Sequence, residues 1–298
     1  MKSILVIGST CVDILIHIDH LPKTAENLHP TSQTMTVGGC AYNVSQILNL
    51  TATEHTFISP VGGGMYGNFV YGQLTANGLP VSVHIPDQEN GCCYCFIEAD
   101  GERTFLSYHG VEYSFQKEWM LPYKNMNFDM TYICGLELEE ATGISMIEYL
   151  EESLTGTLFF APGPRGIRIH PDKMNRIMKL HPVLHINETE AQELGQNNDI
   201  PAAARNIQKC SGNTVIITLG ERGTYCLEKN GTEYTIPTTP VKVVDTVGAG
   251  DSHIGAVLSH LAKGFTLKDA IIYGNKVSGL VVSTSGATPD IERIRSIV

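Results

Sequence analysis

Short runs of consecutive apolar residues recur along the chain, each closed by a turn residue. They are ILVIG at 4–8, HTFISPVG at 55–62, MTYICG at 130–135, LFFAPG at 158–163, PVLHIN at 182–187 and TVIITLG at 214–220. A strand covered on both faces has no polar side, so it reads as an unbroken apolar run rather than an alternation. Between these runs apolar residues return every three or four positions, as at 41–50, 68–77, 143–154, 171–180 and 188–195. That is the period of a helix with one buried face. Strands alternating with helices predict a mostly parallel central sheet with helices on both sides, a three-layer α/β/α architecture. Ligands of such sheets collect beyond the carboxyl ends of the strands.

Two stretches break the rhythm. Residues 13–33 contain ILIHIDH and then turn polar. Residues 91–108 hold two alternating runs about Ala99, Asp100 and Gly101, the pattern of a β-hairpin. Together they are expected to form a small β-sheet lid over the site. No repeat, low-complexity tract or linker divides the chain. Residues 1–298 are therefore expected to form one domain, with 13–33 and 91–108 as its lid segments.

Composition narrows the class of function. With 298 residues, 42% of them hydrophobic, the chain is an ordinary globular protein. Its net charge of −11 argues against nucleic acid as the main partner, because a phosphate backbone attracts basic surfaces. A small phosphate ligand held by a local site stays open. No stretch of about eighteen apolar residues occurs, so no membrane span is expected. The apolar amino terminus, interrupted by Asp13 and Asp19, reads as a buried first strand rather than a secretory leader. Of eight cysteines only Cys92, Cys93 and Cys95 cluster, and no CxxC pair or nearby ligand spacing accompanies them. They are read as small buried apolar residues rather than metal ligands. Free thiols without a leader predict the reducing cytoplasm.

The stretch VVDTVGAGDSHIGAVLSHLAKG at 243–264 carries the strongest chemistry. Ile254, Val257, Leu258 and Leu261 fall at helical spacing, which predicts a helix over about 252–262. Gly248, Ala249 and Gly250 precede it, and small residues let backbone N–H groups approach an anion. The helix amino terminus adds partial positive charge there. Asp251 would repel a bound phosphate, so it is poorly placed to hold one. It is well placed to take a proton from an attacking hydroxyl. Backbone donors and a base beside a phosphate form the layout of phosphoryl transfer. The plainer reading is a glycine-rich turn with Asp251 as the helix N-cap. The stretch alone supports both.

DTVGAGD at 245–251 also resembles the carboxyl-terminal signature of the ribokinase-like, or PfkB-type, carbohydrate kinases. Gly38, Gly39 and Asn43 resemble that family's GGxxxN signature, and Asn187-Glu188-Thr189-Glu190 is similar to its NxxE motif. Residues 218–223, TLGERG, resemble its TxGxxG nucleotide loop, and Gly286-Ala287 its final GA turn. The motifs occur in the family's order over nearly the whole chain. The resemblance implies an ATP-dependent kinase acting on a primary hydroxyl of a sugar or sugar-like molecule, a nucleoside being the alternative acceptor. It implies Asp251 as catalytic base, with Gly248, Ala249 and Gly250 as the anion hole. Asn187, Thr218, Gly220, Gly223 and Asn275 are implied beside the nucleotide. Glu190 with Asn187 would serve Mg2+, partly through water. Asp245 and Gly286 match positions near a monovalent cation, K+ in the first instance. Asp13, Gly39, Asn43 and Glu137 match substrate contacts, and many relatives form homodimers.

The chain departs from the pattern in places. Cys40 and Tyr42 stand where the glycine signature usually continues with small residues, and Tyr42 either narrows the pocket or packs under its helix. The VGxDxxG segment appears at 61–67 without its acid. Ala161 interrupts a D-x-N-x-R stretch, leaving Arg165 to meet a phosphate or lie in solvent. His253 either tunes the base or packs on a helix face. Glu102 and Arg103 either reach over the substrate or stand as exposed turn charges, the second being the expectation. Residues 62–67 also fit GxGxxG literally, the fingerprint of a dinucleotide site. That competing reading, an NAD-dependent oxidoreductase, leaves DTVGAGD and NETE unexplained. A sugar or nucleotide sensor without turnover is the third reading.

Overall fold

The computed structural model describes residues 1–284. Its strands in chain order begin with β1 (Ile4–Ile7), β2 (Cys11–His17), β3 (Ser32–Gly38), β4 (Thr56–Ile58), β5 (Pro60–Gly63), β6 (Val83–Glu89) and β7 (Cys92–Ile97). They continue with β8 (Arg103–Tyr108), β9 (Met130–Cys134), β10 (Thr157–Ala161), β11 (Val183–Asn187), β12 (Val215–Thr218), β13 (Thr224–Leu227) and β14 (Glu233–Ile236). Eight of them form the main sheet in the order β14-β13-β12-β11-β10-β9-β1-β4. Strands β4, β1, β9, β10, β11 and β12 run parallel, and β13 and β14 add an antiparallel edge.

The expected layers are present. Along β1, Ile4 and Val6 join one apolar cluster while Leu5 and Ile7 join another, so the strand is buried on both faces. On the first face lie helices Cys40–Leu50 and Ala249–Ala262, which supply Val44, Leu48, Ile254 and Val257. On the second lie Gly143–Ser153, Glu188–Gly195 and Ile200–Ser211, with Met146, Ala191 and Ile207. Helix Leu267–Val282 packs outside Ala249–Ala262.

The run at 55–62 is not one strand. It breaks at Ser59, because Pro60 lacks the N–H needed to continue the ladder. Strand β4 stays in the main sheet, and β5 pairs with β6 in a separate two-stranded sheet. The second segment to break the rhythm behaves as expected: β7 and β8 form an antiparallel hairpin. It joins β2 and β3 in a four-stranded sheet of order β3-β2-β7-β8. The register places Asp13, Cys93 and Ser107 in one row, and His17, Ile97 and Arg103 in another on the same face.

Residues 62–67 have a packing reason for their glycines. A Cβ on Gly62 would lie 2.4 Å from the Gln88 carbonyl, on Gly63 2.1 Å from that of Pro86, and on Gly67 2.2 Å from that of Gly62. These residues let β5, β6 and the following helix touch backbone to backbone. They present no open cradle of the kind a pyrophosphate needs.

Candidate active site

Two strands end where the site begins. Strand β11 finishes at Asn187 and β12 at Thr218, both at the carboxyl edge of the sheet. Beyond them lies a cavity of about 790 Å3. Asn187, Thr218, Gly220, Gly223 and Asn275 all line it, and so do Ala249 and Gly250. Residues separated by up to 88 positions therefore share one wall, as the motif reading requires. Sequence reasoning missed the rest of the lining, among it Thr238, Val241, Val243, Gly279 and Val282. These residues follow no period and carry no reactive group, so nothing in the sequence marks them.

The helix beyond the glycine-rich turn starts earlier than its apolar period suggests, at Ala249 rather than Ser252. Its N-cap is Gly248, at φ 72°, a conformation a side chain would strain. This removes the plainer reading of Asp251, which lies within the first turn and caps nothing. A Cβ on Gly250 would meet open space, so this turn faces the cavity without obstruction.

Asp251 stands among other polar groups. Asn43 Nδ2 donates to its Oδ2 at 2.8 Å. Burial raises its carboxyl from the ordinary 3.8 to about 6; the Asn43 amide and the Cys40 thiol lower it, and the charge of Glu137 raises it further. Asp13, on β2, is likewise raised to about 6, first by burial and then by Asp251, against a lowering contact from the Cys11 thiol. The two carboxylates therefore stand close enough to repel one another. Gly39 lets the start of helix Cys40–Leu50 pack against the chain after β1: it sits at φ 107°, and a Cβ there would lie 2.6 Å from the Ser9 carbonyl.

The pair Asn187 and Glu190 forms a complete capping box on helix Glu188–Gly195. Asn187 N and Nδ2 donate to the Glu190 carboxylate at 3.0 and 2.8 Å, and Glu190 N donates to Asn187 Oδ1 at 2.9 Å. Burial raises the Glu190 carboxyl, as does the charge of Asp251. An oxygen-rich pair already bonded to itself suits Mg2+ reached through water, since that ion keeps several waters.

The monovalent-cation expectation fares differently. Arg103 Nη1 donates to Asp245 Oδ1 at 2.7 Å, with the two side chains 18% and 8% exposed. The same oxygen accepts Val247 N at 2.8 Å. A guanidinium already stands against the carboxylate that would ligate K+, so the described residues do not fit that ion. Gly286, its other expected neighbour, lies outside the described residues. Arg103 is accordingly not the exposed turn charge its hairpin position suggests.

Burial overturns one further expectation and decides between the readings of others. Glu137 is 0% exposed; it accepts Ser9 N at 2.5 Å and the Cys134 thiol at 2.8 Å. It lies beneath the site and cannot touch a substrate in this arrangement. Tyr42 packs under its helix, its hydroxyl accepting Gln46 Nε2 at 2.7 Å. Asn275 spends its amide on Thr224 and on the Ile236 carbonyl, so it braces the wall of the cavity. His253 lines the cavity and joins His185 at 2.9 Å in a buried polar chain that also reaches Asn275. Arg165 pairs with Glu139 at the surface. Cys92, Cys93 and Cys95 lie along β7 with free thiols. No metal-ligand group of three or more His, Cys, Asp or Glu occurs among the described residues. Among those residues no helix is long and apolar enough to cross a membrane.

Comparisons with known proteins give the family. The family model described as pfkB family carbohydrate kinase matches residues 1–294. The chain belongs to that family, whose members are phosphotransferases with an alcohol group as acceptor. It is 31% identical over 289 residues to a protein of Escherichia coli (strain K12) named uncharacterized sugar kinase YegV, covering 96% of this chain and 90% of that one. The ribokinase of Staphylococcus aureus (strain COL) is 27% identical over 309 residues, covering 99% and 98%. In fold, the crystal structure of a ribokinase from Thermotoga maritima superposes with a TM-score of 0.86 at 21% identity, covering 100% and 99%.

Proposed function

We propose that the enzyme moves the γ-phosphoryl group of ATP to a primary hydroxyl of a sugar or sugar-like molecule, with Asp251 as general base. One observation carries this reading. The five residues expected beside the nucleotide line a single cavity with Ala249 and Gly250, and Asp251 follows directly, bonded to Asn43. The nucleotide occupies that cavity, with its base against Val241, Val243 and Val282. As the acceptor oxygen bonds to the γ-phosphorus, its proton passes to Asp251. The bond to the β,γ-bridging oxygen breaks, and ADP leaves with that electron pair. The N–H groups of Gly248, Ala249 and Gly250 meet the developing negative charge. A carboxyl near 6 is ionised at neutral pH yet more basic than a free aspartate, which suits a general base.

Asp13 accepts from the acceptor's neighbouring hydroxyls, and Gly39 and Asn43 complete that side. Glu190 and Asn187 would hold magnesium through water, and the ion would supply positive charge against the phosphates. The sheet β3-β2-β7-β8 acts as the lid. Its edge strand β8 exposes Phe105, Leu106 and Tyr108, which supports pairing of two lids in a homodimer.

The test is ADP release from Mg-ATP across a panel of pentoses, hexoses, keto sugars and nucleosides, with Asp251→Asn as control. An acceptor phosphorylated by the wild type and not by the variant supports the assignment. Near-full turnover in Asp251→Asn would remove Asp251 from the role. Thermal protection by NAD but not ADP would count against ATP as the phosphoryl donor.

A further inference from the structure

Arg103 and Asp245 are 142 positions apart and come from different parts of the fold. Arg103 opens β8, on the lid face that also carries Asp13. Asp245 precedes the turn leading to Gly248. Its carboxylate holds that turn through Val247 N at 2.8 Å, and its backbone is tied to helix Leu267–Val282 through Val282 O. The guanidinium meets the same carboxylate oxygen at 2.7 Å in a largely desolvated setting. An exposed ion pair contributes little, but a partly buried one leaves an uncompensated charge when either partner is lost.

We propose that Arg103 is a built-in cation: it stands at Asp245 in place of a bound alkali ion and positions the turn that carries the anion-hole N–H groups. A fixed guanidinium and a mobile K+ cannot both sit against one carboxylate oxygen without repelling each other. Because the guanidinium is carried by β8, it also fastens the lid to the body on the lid face that carries Asp13. Arg103 is thus a positioning residue: it touches neither phosphate nor acceptor and acts through Asp245. This inference rests on the phosphotransfer reading only where turnover is the readout.

The experiment compares wild type, Arg103→Gln, Arg103→Lys and Asp245→Asn in matched KCl, NaCl and choline chloride. The first readout is the thermal midpoint, with and without ADP. The wild type is expected to give the same midpoint in K+ and choline, and the same shift with ADP. Arg103→Gln is expected to have a lower midpoint in choline that K+ partly restores, and Arg103→Lys to lie near the wild type in both salts. Asp245→Asn removes the anion and should abolish the K+ response. The second readout is turnover with any accepted acceptor. Wild-type rates should agree within about twofold among the salts, while Arg103→Gln falls at least about tenfold in choline and recovers with K+. A wild-type midpoint or rate that depends on K+ would overturn the proposal, and so would an Arg103→Gln variant indifferent to K+. If ADP protects no variant in any salt, the phosphotransfer reading fails, while the midpoints without ADP still decide the role of Arg103.

Discussion

Replacing Asp251 with asparagine should make the protein inactive and more stable, and the gain should depend on pH in a defined direction. The carboxyl titrates at 3.8 when free and at about 6 in the fold, chiefly because burial disfavours its charge. At about 1.4 kcal/mol per tenfold, ionising it in the native state costs up to about 3 kcal/mol at pH 7. Its place in the first turn of helix Ala249–Ala262 returns roughly 0.3–1 kcal/mol through the helix dipole. Asparagine is isosteric, and its carbonyl can still accept from Asn43. The net expectation is a stabilisation of about 2 kcal/mol at pH 7, a rise in Tm of about 4 °C for a chain of this size. The sign follows from proton uptake. Between 3.8 and 6 the folded state holds more protons than the unfolded one, so this aspartate's contribution falls as pH rises through that window. The difference between variant and wild type should therefore be near zero around pH 4 and reach its plateau above pH 6. Turnover should fall about 10²–10⁴-fold in the same variant. Scanning calorimetry of both proteins from pH 4 to 8 is the assay. A variant less stable than the wild type at pH 7, or a difference that does not vary with pH, would refute the electrostatic account of the site.

Other expectations follow from the same geometry. Glu190→Ala removes both bonds that Asn187 donates to it, so helix Glu188–Gly195 should lose about 1 kcal/mol, and half-maximal rate should need more Mg2+; an unchanged magnesium titration would remove Glu190 from that role. Gly39→Ala forces a Cβ to 2.6 Å from the Ser9 carbonyl at φ 107°, so it should cost roughly 1–3 kcal/mol and raise KM for the acceptor more than it raises KM for ATP; equal KM changes would count against Gly39 on the acceptor side. Burial lowers His253 from 6.5 to about 4 and holds His185 well below its usual range. Their stabilisation is complete above pH 6.5 and is lost as pH falls toward 4, so His253→Gln should flatten the acid side of a plot of Tm against pH. Two parallel curves would show that these histidines do not carry acid sensitivity.

What could be read from the chain alone was whatever depends on residues close together in it. Strands β1, β9, β10, β11 and β12 declared themselves because a strand buried on both faces must be apolar at every position. The capping box of Asn187 and Glu190 and the glycine-rich turn before Asp251 are three- to six-residue devices whose backbone demands are written in residue type. The hairpin β13–β14 and the wall at Thr238, Val241 and Val243 had no such mark, because mixed polar and apolar residues serve an edge hairpin or a loop equally well. Tertiary structure alone decided what surrounds each polar group. Glu137 reads as a site acid until its neighbours Ser9 and Cys134 are known, and Tyr42 reads as either a pocket or a packing residue until Gln46 takes its hydroxyl. Arg103 reads as a turn charge until the small sheet folds over and brings it to Asp245. A carboxylate or a guanidinium is the same group in solvent or in a cleft. Its pKa, its partner and its role come from burial and from charges distant in sequence, and only the packed fold supplies those.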